Sequence, residues 1–311
     1  MGLLDFFRGG KKKAAVVADG DLFDDEFQRK LDYLAVVSRK IFAGRMRAER
    51  RTKKSGSGIE FVDHRDYVPG DDLRYLDWNV YQRFGRLQVR LFEEEEDLAI
   101  YVLVDTSSSM RFGQGAKLQY AKRVAAALAY VALANLDRVA VLGVGDKLEA
   151  TMAPARGKER IFRVFEFLRG IETGGGLTDL RTAARSFVAR NKRKGMVVLV
   201  SDLYDPAGFE QGINVLRYNR FEPLVVHITD RTEASPSLLG DVLLYDCETG
   251  EEREVTVTAR LLERYRQAYE DHRREIEQFC ASKQVPYFDA DMSVPFDELV
   301  LRVFRKGGFL R

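Results

Sequence analysis

Asp105, Ser107 and Ser109 form the most specific chemical pattern in the sequence. They follow an apolar run at 99–104 and are spaced as D-x-S-x-S. In a tight loop this spacing turns one carboxylate and two hydroxyl groups toward one point. A ligand set made only of oxygen suits a hard cation, Mg²⁺ before Zn²⁺. The pattern therefore predicts part of a metal site at the end of a buried strand.

Two further segments offer the oxygens that this site still lacks, because one aspartate and two serines cannot complete six-fold coordination. The glycine-rich stretch at 172–180 carries Thr178 before a helical pattern, and the apolar run at 196–200 leads into Asp202. Ligands of open α/β sheets bind beyond the carboxyl ends of the strands, so the three segments would converge there. A capping role stays open for the threonine loop, where Asp179 is a candidate N-cap.

Short apolar runs alternate with amphipathic segments along most of the chain. The runs predict strands at 99–104, 139–144, 196–200, 224–228 and 285–290. Apolar positions three or four residues apart predict helices near 118–132, 161–168, 180–191, 262–279 and 296–305. This alternation predicts an α/β fold with a doubly wound, Rossmann-like, mostly parallel sheet.

Shorter patterns predict additions to that sheet. Segments at 147–157 and 241–258 have the character of edge strands, the second as a hairpin around residues 248–250. Helical spacing over 21–46 and an alternating stretch at 87–96 predict an N-terminal helical and β extension. We therefore divide the chain into a flexible tail over 1–20, an N-terminal region over 21–97 packed on the main domain, and an α/β domain over 98–311.

The three oxygen-bearing segments together resemble the metal-ion-dependent adhesion site of von Willebrand factor A domains. That motif is D-x-S-x-S followed by a distant threonine and a distant aspartate, and it is matched here by Asp105, Ser107, Ser109, Thr178 and Asp202. The resemblance implies that the hydroxyl groups ligate Mg²⁺, with Mn²⁺ and Ca²⁺ as alternatives. It further implies that the aspartates act directly or through water, and that a partner's Asp or Glu fills the open position.

A second dense signature lies at 58–98 and resembles the bacterial and archaeal family known as domain of unknown function 58. The matching residues are Glu60, Phe61, Asp63, Arg65, Tyr67, Gly70, Asp71, Asp72, Arg74, Asp77 and Trp78. The resemblance implies a partner of a MoxR-type AAA+ ATPase in the maturation or assembly of other proteins. From the residues alone a packing and turn role is favoured for this segment, with Asp71 and Asp72 as a binding site the alternative.

Composition limits the other classes of function. The 311 residues carry a net charge of +2, so no specific nucleic acid is expected as a partner, although the basic run at 45–54 leaves an adaptor role open. The two cysteines do not make a disulfide framework, which suits the cytoplasm. Apolar residues near the start are followed by three lysines at 11–13, so peripheral membrane contact by this tail is also possible on this pattern.

These features favour a protein-interaction module without enzymatic activity. The chain has no G-x-x-x-x-G-K-S/T loop and no G-x-S-x-G motif. His227 and His272 lie on apolar faces, where a packed, hydrogen-bonded histidine is expected. The alternative is an enzyme in which the same oxygen set holds Mg²⁺ for phosphoester hydrolysis or phosphoryl transfer.

Overall fold

The computed structural model describes most of the chain. Its described residues are 22–49, 51–52, 60–95, 99–113, 115–174, 178–246 and 251–305. The tail predicted over 1–20, part of the basic run at 45–54 and the hairpin turn at 248–250 lie outside these residues. In the part that is described, no helix combines the length and the apolar character needed to cross a bilayer.

The secondary structure runs through helices and strands in the following order, numbered along the chain: α1 (Asp25–Glu49), β1 (Arg51–Thr52), β2 (Glu60–Asp66), α2 (Trp78–Phe84), β3 (Gln88–Glu95), β4 (Ala99–Asp105), α3 (Ala116–Ala134), β5 (Arg138–Val144), β6 (Leu148–Thr151), α4 (Ile161–Gly170), α5 (Leu180–Arg190), β7 (Met196–Ser201), α6 (Phe209–Tyr218), β8 (Glu222–Thr229), α7 (Arg231–Ala234), β9 (Gly240–Tyr245), β10 (Glu252–Val257), α8 (Ala259–Ser282), β11 (Tyr287–Asp291) and α9 (Phe296–Arg305). All five predicted strands and the predicted helices are confirmed. Helices α2, α6 and α7 were not predicted.

A six-stranded sheet forms the centre of the α/β unit, in the order β11-β8-β7-β4-β5-β6. Every pairing in it is parallel except that of β6, which runs antiparallel to β5 at the edge. The predicted mostly parallel α/β sheet is therefore confirmed, as is the edge strand near 147–157. Because β4, β5, β7 and β8 are parallel, their carboxyl ends meet at one edge of the sheet.

The central strands are buried on both faces, as their continuous apolar sequences predict. All seven residues of β4 and all six of β7 are buried. Alternate residues of these strands join a core cluster with α5, α6 and α8. Helix α3 packs against β4, β5, β7 and β8, and α4 and α9 pack against α3. Helices therefore cover the faces of the sheet, and the polar loops lie at the ends of its strands.

The first half of α1, together with Phe23 just before it, belongs to this unit and makes aromatic contacts with it. The ring of Phe23 stacks on Phe165 of α4 at 4.4 Å between centroids, and Phe27 lies 4.6 Å from Phe296 of α9. The unit comprises the described residues up to Arg39 and those from 99 to 305. The predicted hairpin at 241–258 is also present, but β9 and β10 pair only with each other in a separate two-stranded sheet.

Residues 40–97 group as a second compact unit. It contains a three-stranded antiparallel sheet in the order β1-β3-β2, and the short helix α2 lies between β2 and β3 along the chain. Leu76 and Val89 are buried in this unit and pair across an isolated bridge. The alternating stretch predicted at 87–96 is thus confirmed as β3.

Candidate functional site at the strand ends

Asp105 is the last residue of β4, and the chain turns sharply after it. The Ser107 backbone N–H donates to Asp105 Oδ1 at 2.8 Å, which closes the turn on the carboxylate. Residues Ser108–Arg111 then form one 3₁₀ turn. This turn brings the hydroxyl oxygens of Ser107 and Ser109 within 2.9 Å of each other. The D-x-S-x-S segment therefore places the Ser107 and Ser109 hydroxyl groups together in the turn that closes on Asp105.

Ser201 joins the neighbouring strand end to Asp105. It is the last residue of β7, which pairs in parallel with β4, and its hydroxyl donates to Asp105 Oδ2. The same hydroxyl oxygen accepts the Leu203 backbone N–H at 2.8 Å. Both carboxylate oxygens of Asp105 thus accept a hydrogen bond inside the protein, one from its own loop and one from the adjacent strand.

Asp202 follows directly and is 1% exposed. Its Oδ2 accepts a hydrogen bond from Lys117 Nζ at 2.9 Å, and its Oδ1 accepts the Tyr204 backbone N–H at 3.3 Å. The next residue, Leu203, is buried and has a left-handed φ of 59°, which is costly for a side chain other than glycine. This sharp turn is held by its hydrogen bond to Ser201 and keeps Asp202 beside the strand end.

Thr178 precedes α5 and is 5% exposed. Its hydroxyl oxygen is buried and has no hydrogen-bond partner among the described residues. Asp179 caps α5 by accepting the Thr182 backbone N–H at 2.8 Å, so the capping role falls to the aspartate and not to the threonine. A buried hydroxyl without a partner costs free energy, which makes it a feature that requires an explanation.

The segments on both sides of Thr178 are tied to the loops that carry the other candidate residues. The Gly174 backbone N–H donates to the Thr106 carbonyl at 2.7 Å, and the Ser108 hydroxyl donates to the Gly174 carbonyl at 3.2 Å. On the other side, the Leu180 backbone N–H donates to Asp205 at 2.9 Å.

The structure thus links Asp105, Ser107 and Ser109 by hydrogen bonds. Asp202 lies beside them because it directly follows Ser201, whose hydroxyl donates to Asp105. Thr178 is held by its neighbours and makes no hydrogen bond to the other four. We call Asp105, Ser107, Ser109, Thr178 and Asp202 the oxygen cluster.

Electrostatics in the cluster are set by burial and by two carboxylates in proximity. Burial, followed by the charge of Asp202, raises the pKa of Asp105 to about 6, although hydrogen bonds from Ser107 and Ser201 oppose this rise. Lys117 shows the opposite balance. Burial alone would lower its pKa, but the carboxylates of Asp202 and Glu233 together raise it above the ordinary value. Lys117 therefore stays a cation inside the protein.

Lys117 and Glu233 are site residues that the sequence-based predictions missed. Lys117 is 0% exposed, and its Nζ lies 2.9 Å from Asp202 Oδ2 and 2.8 Å from Glu233 Oε2. A signal for Lys117 exists in the sequence, because it shares the 3–4 residue spacing of Ala121, Val124 and Leu128 on the buried face of α3. No comparable signal marks Glu233, which lies on the short helix α7.

The donor set of the oxygen cluster fits a hard divalent cation. It offers two carboxylates and three hydroxyl groups, and the buried Thr178 oxygen is still available to bind. Among the described residues, no three His, Cys, Asp or Glu side chains converge as metal ligands. Any metal held here would thus depend on hydroxyl oxygens, which disfavours Zn²⁺ and favours Mg²⁺.

His227 is a packed histidine. It lies on β8, is buried, and shares a hydrogen bond of 2.9 Å between its Nδ1 and the Tyr287 hydroxyl. Burial lowers its pKa to about 4, so the ring is neutral at physiological pH. His272 is partly buried and stacks on Tyr204 at 5.5 Å between ring centroids.

The aspartates of the second unit serve local structure. Asp71 accepts from Arg65 at 2.8 Å and from the Val68 backbone N–H at 2.9 Å, which closes the turn around Gly70. Asp72 caps the 3₁₀ turn Leu73–Tyr75. Asp77 caps α2 through the backbone N–H groups of residues 79 and 80. The turn role favoured for this segment is confirmed.

The fold and the strand-end cluster define an α/β protein with a mostly parallel central sheet and a polar, partly unsatisfied site at its carboxyl edge. The chain belongs to the family described as protein of unknown function DUF58, whose model matches residues 63–275. An uncharacterized protein of Mycobacterium tuberculosis is 28% identical over 265 residues, spanning 83% of this chain and 82% of the relative. An uncharacterized protein of Mycobacterium avium is 31% identical over 108 residues, covering 35% of this chain and 63% of the relative.

Among solved structures, the conserved hypothetical protein BatB from Bacteroides thetaiotaomicron aligns with a TM-score of 0.42 and 13% identity, over 67% of this chain and 99% of that one. An aerotolerance-related membrane protein from Bacteroides fragilis aligns with a TM-score of 0.40 and 15% identity, again over 67% and 99% of the two chains.

Proposed function

We propose that this protein is a metal-dependent protein-interaction module whose sheet is of the von Willebrand factor A type. In this proposal the oxygen cluster is a metal-ion-dependent adhesion site for Mg²⁺, and a partner's Asp or Glu completes the ion's coordination. The observation that carries the proposal is the buried Thr178 hydroxyl, which has no hydrogen-bond partner among the described residues. A cation would satisfy that oxygen.

The chain's own residues divide into two roles. The hydroxyl groups of Ser107, Ser109 and Thr178 would contact the cation, while Asp105 and Asp202 would supply negative charge from beside it. Both aspartates are already oriented by hydrogen bonds from the protein, so little rearrangement would be needed. When bound, the cation would act as an acceptor site for one carboxylate, giving a directional, charge-assisted contact that adds specificity.

The partner proposed for the module is a MoxR-type AAA+ ATPase, with which it would act in the maturation or assembly of other proteins. This part of the proposal depends on the family resemblance of the signature at 58–98 and of the adhesion-site motif.

The proposal is tested first on the metal and then on the partner. Mn²⁺ binding to the full chain is measured by electron paramagnetic resonance, for the wild type, Asp105→Ala, Thr178→Ala and Thr182→Ala. Thr182 is the matched control, because it lies four residues further along in α5, is exposed, and donates its hydroxyl to Asp179. We expect Asp105→Ala and Thr178→Ala to lose Mn²⁺ and Thr182→Ala to keep it.

Binding to a purified MoxR-type AAA+ ATPase is then measured with Mg²⁺ and with chelator. Metal-dependent binding that Thr178→Ala loses and Thr182→Ala keeps supports the module. Equal binding with chelator contradicts it. Mg²⁺-dependent hydrolysis of p-nitrophenyl phosphate that Asp105→Ala abolishes would replace the module with an enzyme.

A further inference from the structure

Lys117 is a fully buried cation beside the oxygen cluster. Its ammonium group bridges two carboxylates, at 2.9 Å from Asp202 Oδ2 and 2.8 Å from Glu233 Oε2. The rings of Tyr204 and Phe112 lie 5.3 and 5.6 Å from the same nitrogen, so aromatic faces cover it as well. Lys117 therefore has a fixed position and a fixed charge.

Glu233 completes this bridge from the segment that follows β8. It lies on α7, directly after β8, and is 4% exposed. The Tyr265 hydroxyl of α8 donates to the Glu233 carbonyl oxygen at 2.9 Å, which holds α7 in place. The Lys117 ammonium group, on α3, thus connects Asp202 after β7 with Glu233 after β8.

The charges in this region depend on Lys117 and Glu233 as much as on the cluster itself. Asp105, Asp202 and Glu233 carry three negative charges against one positive charge on Lys117, which leaves two when all four are ionised. At the short separations of a buried site, each unit of charge changes the free energy of a bound cation strongly. The ammonium repels such a cation, and the Glu233 carboxylate attracts it.

We propose that Lys117 and Glu233 are positioning residues that set the affinity of the oxygen cluster for a divalent cation, Lys117 lowering it and Glu233 raising it. Lys117 neutralises Asp202 in the metal-free protein, so the fold does not require the metal. The cost of this arrangement is a weaker metal site. The inference rests on the proposed metal-binding function and adds to it how tightly the cation is held.

The proposal predicts an order of affinities rather than a single loss. Mn²⁺ binding at pH 7.5 is measured for the wild type, Lys117→Met, Glu233→Gln and the double variant, and Mg²⁺ competition confirms the site. We expect Lys117→Met to bind Mn²⁺ at least about tenfold more tightly and Glu233→Gln at least about tenfold more weakly. The double variant should return close to the wild type, because it removes one charge of each sign.

A purely structural role gives a different pattern, in which every substitution weakens binding. That result, or equal affinities for all four proteins, overturns the role of Lys117 and Glu233 while the metal site stands. If the four proteins all fail to bind Mn²⁺, the metal site itself is wrong and this inference falls with it.

Folding is checked by circular dichroism, since Lys117→Met leaves two buried carboxylates without their cation. Glu233→Gln keeps the shape of the side chain and changes only its charge. If Lys117→Met does not fold, Glu233→Gln is compared with Glu233→Asp, which keeps the charge and shortens the side chain. Tighter Mn²⁺ binding by Glu233→Asp than by Glu233→Gln supports the proposal, and equal binding or the reverse order overturns it.

Discussion

The aspartates of the second unit and the two aspartates at the strand ends of the α/β unit have opposite roles. In the unit over 40–97, Asp71, Asp72 and Asp77 lie near the surface and accept hydrogen bonds from backbone N–H groups and from a neighbouring basic side chain. In the α/β unit, Asp105 and Asp202 lie buried at the ends of adjacent strands, close enough for one charge to act on the other.

The pKa values follow this division. A hydrogen bond from Arg65 holds the pKa of Asp71 below its usual range, and Arg74 does the same for Asp72. Burial instead raises the pKa of Asp105. An acid that serves a turn is stabilised in its charged form, whereas burial at a strand end makes the charged form of an acid costly. The number of acidic residues in a stretch of sequence does not distinguish the turn aspartates from the strand-end aspartates, whereas their burial in the folded protein does.

The largest expected difference between the units comes from removing one member of an ion pair in each. Lys117→Met should lower the free energy of unfolding by about 3–5 kcal/mol, because Asp202 and Glu233 are left buried without a cation. Arg74→Met removes the exposed pair with Asp72 and should produce no resolvable change. Urea denaturation of both variants checks this contrast, and similar losses would contradict it.

The second prediction uses the pH dependence of stability in metal-free protein. The folded-state pKa of Asp105 is raised, so between about pH 4 and 6 the folded protein binds the extra proton and stability falls as pH rises. The folded-state pKa of His227 is lowered, so between about pH 4 and 6.5 the unfolded chain binds the extra proton and stability rises with pH. Each effect amounts to about 3 kcal/mol, and in the wild type they oppose each other.

Single variants should separate the two effects. Asp105→Asn leaves only the effect of His227, so its stability should rise from pH 4 to 6.5 more steeply than that of the wild type. His227→Gln leaves only the effect of Asp105, so its stability should rise less steeply than that of the wild type or fall. Urea denaturation across this pH range, with chelator present, gives both profiles. If the two variants have parallel profiles, burial does not shift these groups as described.

A smaller effect is expected at the cap of α2, in the second unit. Asp77→Ala removes the acceptor for two backbone N–H groups and should cost about 1 kcal/mol. Asp77→Asn is the matched control, since asparagine caps a helix well but loses the charge that faces His64. Hydrogen exchange of the amides at 78–84 measures the difference. Equal protection in both variants would show that the cap does not stabilise this helix.

Only a small change in stability is expected at Thr178, although its effect on metal binding should be large. Thr178→Val keeps the shape of the side chain and removes a hydroxyl that has no partner, so metal-free stability should change by less than about 1 kcal/mol. The rise in Tm on adding Mg²⁺ should disappear. Thr182→Val serves as the control and should retain that rise. A rise that survives in Thr178→Val would remove this residue from the cluster.

Much of the α/β unit could be predicted from hydropathy alone. The runs at 99–104 and 196–200 are apolar throughout because both faces of their strands are buried, and parallel strands then require helices between them. Helix α6 escaped prediction although Phe209, Ile213 and Leu216 are buried on one face. Helix α2 escaped it because it is only seven residues long and buries none of them.

The sequence by itself determined which functional groups stand next to each predicted element. A carboxylate and two hydroxyl groups follow one strand, an aspartate follows another, and a threonine precedes a helix. These are local patterns, and the rule that parallel strands end at one edge brings them into the same region. Tertiary structure alone decided what surrounds them. Lys117 and Glu233 are 116 residues apart along the chain, and their meeting beside Asp202 depends on how α3 and α7 pack at the strand ends. A charge acts through space, so its partners, and with them the properties of the site, are fixed only when the chain is folded.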